Sequence, residues 1–107
     1  SDEIVSANHS GIDLGVVDGT TVLAAMEGTV TVVSNEGEYG THVKIVNKDV
    51  TTIYAHCSKI LVKKGAKIKK GQKIALSGNT GNTTGPHLHF EIRRDERTVN
   101  PALVLNF

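Results

Sequence analysis

With 107 residues the chain is expected to form a single domain over 1–107. Its 12 basic and 11 acidic residues leave a net charge of +1, which gives no electrostatic footprint for nucleic acid. The single cysteine excludes an intrachain disulfide, and no apolar run approaches the roughly 18 residues of a spanning helix, so the domain itself is not expected to cross a membrane.

In chain order, Val22 to Ala25 and Gly28 to Ser34 are short β-branched runs that read as strands. Thr41 to Asn47 alternates Val43 and Ile45 against His42 and Lys44, as a half-buried strand does. Asn47-Lys48-Asp49 reads as a hairpin turn into a strand from Val50 to His56. The stretch Val62 to Ile74 reads as two short strands turned at Gly65 and Gly71. Its cluster of Lys63, Lys64, Lys67, Lys69 and Lys70 is expected to be a solvated face, with weak attraction to an anionic wall polymer as the alternative. The segment from Gly78 to Gly85 carries no apolar residue and reads as a loop that delivers the chain to His87. Leu88 to Arg94 reads as the last strand, and Asn100-Pro101 starts a terminal turn anchored by Leu103 and Leu105. No long helical period appears, and 11 glycines among short strands suit an all-β antiparallel sandwich or open barrel.

The residues that carry chemistry fall in three short motifs. His87-Leu88-His89 opens the Leu88–Arg94 strand, where side chains two apart share a face. Two imidazoles then stand side by side while Leu88 and Phe90 face the other way, an arrangement that suits one metal ligand beside one acid/base group. His9 and Asp13 add an imidazole and a carboxylate four residues apart. Both are ordinary zinc ligands, and a catalytic zinc typically takes three protein ligands plus water, so His9, Asp13 and one histidine of the pair form such a set. Tyr54-Ala55-His56 is the third motif. Regular alternation puts Tyr54 and His56 on one face and turns Cys57 away from His56, into the core as a small buried hydrophobe.

Together, and in this order, His9-x-x-x-Asp13, Tyr54-Ala55-His56 and Gly85-Pro86-His87-Leu88-His89-Phe90-Glu91 resemble the motifs of the lysostaphin/LytM-type zinc metallopeptidases, which cut peptide cross-links or stem peptides of bacterial peptidoglycan. The resemblance runs from about His9 to the C-terminus. It implies an active-site groove on a central sheet, Zn2+ held by His9, Asp13 and His89, and His56 and His87 as the two catalytic histidines. It further implies peptidoglycan peptides as substrate and a place outside the bacterial cytoplasm, in the cell wall or at the outer face of the cytoplasmic membrane. The chain is expected to be a piece of a larger secreted or membrane-anchored protein, through which a protein partner could be reached. Tyr54 is read either as a hydrogen-bond donor near the oxyanion or as an aromatic packed at the sheet edge. Glu91 shares the His89 face and is read as a solvated carboxylate, with a supporting role behind a ligand as the alternative. A second reading of the whole chain is a zinc-binding scaffold of the same type in a cell-envelope or sporulation assembly.

Overall fold

The computed structural model describes residues 3–7, 12–78, 87–94 and 97–99, with side chains over 15–78 and 88–94. Ten strands occur among these residues: β1 (Glu3–Ala7), β2 (Ile12–Gly15), β3 (Thr21–Leu23), β4 (Gly28–Ser34), β5 (Thr41–Asn47), β6 (Val50–Ile60), β7 (Lys67–Ile68), β8 (Lys73–Ser77), β9 (His87–Arg94) and β10 (Arg97–Val99). Every pairing is antiparallel. The main path runs β1-β2-β9-β6-β5-β4-β7, with β10 on β9, and with β8 joining β3 to β6. The fold is thus the all-β open barrel expected from the sequence, a curled antiparallel sheet forming a half-barrel, with the β3–β8 pair branching from the end of β6.

The core lies inside the curl. Val22, Val30, Val43, Ile45, Tyr54, Cys57, Ile74, Leu88, Phe90 and Ile92 belong to one buried cluster. Alternation explains most of it. Leu88, Phe90 and Ile92 are the inward set of β9, and Val43 and Ile45 are inward residues of β5. The Tyr54 and Phe90 rings meet at 5.2 Å and 57°, a tilted contact that suits two aromatic quadrupoles. The Tyr54 hydroxyl accepts a hydrogen bond from the Ala25 amide at 2.9 Å. Tyr54 is therefore a core residue, 1% exposed, at neither the sheet edge nor the site.

β6 organises the molecule. On one edge it pairs with β5 along most of its length. On the other it pairs with β9 from Val50 to Ala55 and then with β8 from Cys57 to Ile60. The exchange of partners falls at His56, whose φ of 61° lies in the left-handed region. Between Tyr54 and Cys57 the strand takes three steps while β5 takes two, from Val43 to Thr41. This extra residue is a bulge, the usual device by which a strand turns a corner between sheet segments. The His56 amide donates to the Tyr39 carbonyl at 2.8 Å, which ties the corner to the loop before β5.

Three strands were not legible in the sequence. β10 follows the strand expected to be last and pairs with it from Arg97↔Arg94 to Val99↔Ile92. It is too short to carry a period, as are the four residues of β2, while β1 gains its place by pairing with β2. The expected hairpin between β5 and β6 is present, with Lys48 at φ 56°. The two strands expected around Gly65 and Gly71 are β7 and β8. Both glycines have positive φ, and their amides donate to Val30 and Ala24 carbonyls at 2.8 Å, clipping the turns to the sheet. The lysines of this region are all exposed, as a solvated face requires. The expected polar loop lies outside the described residues from 79 to 86, and so does the expected terminal turn.

Candidate active site

Outward residues of β9 form the floor of the site. His89, Glu91 and Arg93 alternate with the core residues Leu88, Phe90 and Ile92. His89 pairs in register with Asp13 of β2 on one side and with Ala55 of β6 on the other. His87 heads β9, paired with Gly15. The bulge brings His56 to this face, where its ring centroid lies 5.8 Å from that of His89. Regular alternation had put His56 with Tyr54. The left-handed corner overturns that expectation, leaving Tyr54 and Cys57 in the core and His56 beside His89.

Glu91 is the hub. Its side chain is 6% exposed, not solvated as the sequence had suggested. Oε1 lies 2.9 Å from His89 Nε2. Oε2 accepts from the Tyr39 hydroxyl at 2.7 Å and from Arg93 Nη2 and Nε at 3.1 and 3.3 Å. Arg93 Nη2 also donates to the Tyr39 oxygen at 3.2 Å, closing a ring of contacts. Burial pushes the Glu91 carboxyl up, but the bonds from His89, Tyr39 and Arg93 outweigh it and hold the group at about 2. The carboxylate is therefore ionised throughout the neutral range. The same contacts act back on its partners. Burial first, then Glu91, raise the Tyr39 phenol, and the Glu91 bond raises the Arg93 guanidinium.

Tyr39 completes the wall. Its ring stacks on His89 at 6.1 Å and 26° and leans on His42 at 5.2 Å. His42 is buried, with Nδ1 2.8 Å from the Gly40 carbonyl, a donor geometry that places a proton on Nδ1. The groove above these groups measures about 560 Å³, and Glu36 and Glu38 stand on its rim.

Of the residues singled out in the sequence, the structure brings His56 and His89 together and sets Asp13 directly across from His89. His9 lies outside the described residues. Among the described residues no group of three His, Cys, Asp or Glu side chains gathers to hold a metal. The chemistry at His89 nonetheless fits a metal ligand. A ring with one nitrogen on a buried carboxylate is fixed in orientation and tautomer, as ligating histidines usually are. Sequence reasoning missed Tyr39, Arg93 and His42. The period of β9 carried a signal for Arg93, but nothing local signals Tyr39, whose place depends on the β4–β5 loop.

A curled antiparallel sheet with histidines gathered at the corner of its central strand defines the class of metallopeptidase that the motifs resemble. Residues 7–101 match Peptidase family M23, and the chain belongs to that family. It is 46% identical over 95 residues to the peptidoglycan DD-endopeptidase ShyA of Vibrio cholerae, a match that covers 88% of this chain and 22% of that protein. It superposes on a zinc containing peptidase from Vibrio cholerae with a TM-score of 0.88 at 40% identity, covering 92% of this chain and 35% of the other. The catalytic domain of lysostaphin from Staphylococcus simulans superposes with a TM-score of 0.80 at 34% identity, covering 89% of this chain and 77% of that domain. The chain spans about a fifth of the length of the curated relatives it matches first.

Proposed function

We propose that this chain is a zinc-dependent endopeptidase that hydrolyses peptide bonds in the cross-links or stem peptides of bacterial peptidoglycan. The observation that carries the reading is the meeting of His56, at the β6 corner, with His89 of β9, the strand that pairs with β2 at Asp13. The names of the M23 relatives point to the same chemistry and substrate.

In this reading His9, Asp13 and His89 hold Zn2+, and His56 and His87 are catalytic. Bound zinc supplies Lewis-acid polarisation of the scissile carbonyl and a water acidic enough to be used near neutral pH. One of the two remaining histidines accepts the proton of the attacking water at a ring nitrogen and returns it to the leaving amine. The other donates a hydrogen bond to the oxygen on which charge develops. Glu91, held by Tyr39 and Arg93, keeps the His89 ring in place through Nε2. The domain is read as one module of a larger secreted or membrane-anchored protein, working in the cell wall or at the outer face of the cytoplasmic membrane. Any protein partner is reached through the rest of that parent chain.

Elemental analysis and digestion of purified peptidoglycan on the same preparation test this. The expected result is zinc in the purified chain, release of soluble fragments, loss of release on chelation and recovery on adding zinc back. Bound zinc with no release from any peptidoglycan would replace this reading with that of a zinc-binding scaffold.

A further inference from the structure

The outward face of the sheet continues past Glu91. Two cross-strand rows follow one another there, Glu91–Ile53–Lys44 and Arg93–Thr51–Val46, each running from β9 through β6 to β5. All of these residues except Glu91 line a second hollow of about 200 Å³, together with Thr31 of β4. Arg93 lines both this hollow and the main groove, so the two adjoin at that side chain.

The lining of this hollow combines apolar surface with positive charge. Ile53 is 1% exposed yet stands outside the main core cluster, because it belongs to this outer face. Val46 supplies the apolar surface, and Thr31 and Thr51 supply hydroxyls. No carboxylate is among the lining residues, but two cations are. Arg93 turns Nε and Nη2 to Glu91 and Tyr39, and its charge is offset by Glu91. Lys44 is different. Its Nζ sits 5.8 Å from the centroid of the Tyr39 ring, a contact that holds the ammonium toward the groove without neutralising it. A positive charge in a space with room for one small residue, with no carboxylate lining that space among the described residues, favours an anionic peptide end.

We propose that this hollow is a subsite beside the groove that binds a free carboxylate of the peptide substrate, with Lys44 supplying the charge and Val46 the surface on which the adjoining small side chain lies. The proposal rests on the endopeptidase reading above and adds the chemical feature by which the site selects its peptide.

Binding, not turnover, tests it. Two stem peptides, one ending in a free α-carboxylate and the other in a carboxamide, are titrated into the zinc-loaded chain and followed by NMR shifts. The wild-type chain should prefer the carboxylate by about fivefold, the scale of one partly exposed ion pair. Lys44→Gln should abolish the preference and Lys44→Arg should keep it, with unchanged thermal melts showing that both variants fold. Equal affinity for the two peptides overturns the proposal. So does a preference that persists in Lys44→Gln, which would place the carboxylate on the metal, and so does failure of both peptides to bind. A Lys44-dependent preference in a chain that cleaves no peptidoglycan would leave the subsite standing and remove the endopeptidase reading.

Discussion

Glu91 shows how much a single side chain can determine. A carboxylate that is 6% exposed and accepts from three partners cannot be replaced without leaving one of them short. Glu91→Gln keeps an oxygen for His89 but removes the charge that Arg93 faces. Groups that orient a ligating histidine typically contribute 10- to 100-fold in metal affinity. Competition against a chromophoric chelator should therefore show zinc affinity falling by roughly that factor in Glu91→Gln, with the fold retained by circular dichroism; unchanged affinity would remove Glu91 from the metal's support. Cys57 makes a contrasting case. Burial alone pushes its thiol up to about 12, from an ordinary value of 9.0. A raised folded value means that the native state holds the proton, so this stabilisation is complete below pH 9 and fades as pH rises toward 12. Native protein at pH 8 should resist a thiol reagent that modifies it at once in denaturant, and fast labelling of the native chain would contradict the buried placement. The sequence could assign Cys57 to the core because only one apolar face was open to it. It could not show that Glu91 is buried, since the groups that cover it come from Tyr39, far away in sequence.

At the level of elements, the decisive feature is the corner in β6. Alternation correctly placed Val43 and Ile45 of β5, Leu88 and Phe90 of β9, and Glu91 on the face of His89. It failed at His56, because a bulge adds one residue and reverses the parity of everything after it. No glycine or asparagine marks the bulge in the sequence; a histidine occupies the left-handed position instead. Such a position costs a non-glycine residue roughly 1–2 kcal/mol, and a β-branched residue more. The strain falls at the residue whose ring faces His89, where the surrounding pairings with β5, β8 and β9 hold it. His56→Val should therefore lower the thermal midpoint clearly more than His56→Asn, which tolerates positive φ. Equal melting of the two variants would mean that the corner relaxes once the histidine is gone.

Across the whole molecule, the topology explains why distant motifs form one site. β9 sits between β2 and β6, so the strand carrying the His-x-His pair has the Asp13 strand on one side and the His56 strand on the other. Three strands with 34 and 26 residues between them along the chain are thus neighbours in one sheet. The motifs were legible because their residue types and spacing are specific. Their mutual placement was not, because it depends on long-range pairing that no local window contains. In the proposed function His89 holds metal and His56 acts on substrate. The most direct test measures bound zinc and peptidoglycan cleavage on the same samples of wild type, His89→Ala and His56→Asn, the last chosen because asparagine suits the left-handed backbone. His89→Ala is expected to lose both zinc and cleavage, whereas His56→Asn keeps its zinc and loses cleavage by about 10²- to 10⁴-fold, the usual contribution of an acid/base group. Depletion of zinc in His56→Asn as complete as in His89→Ala would contradict this division of roles.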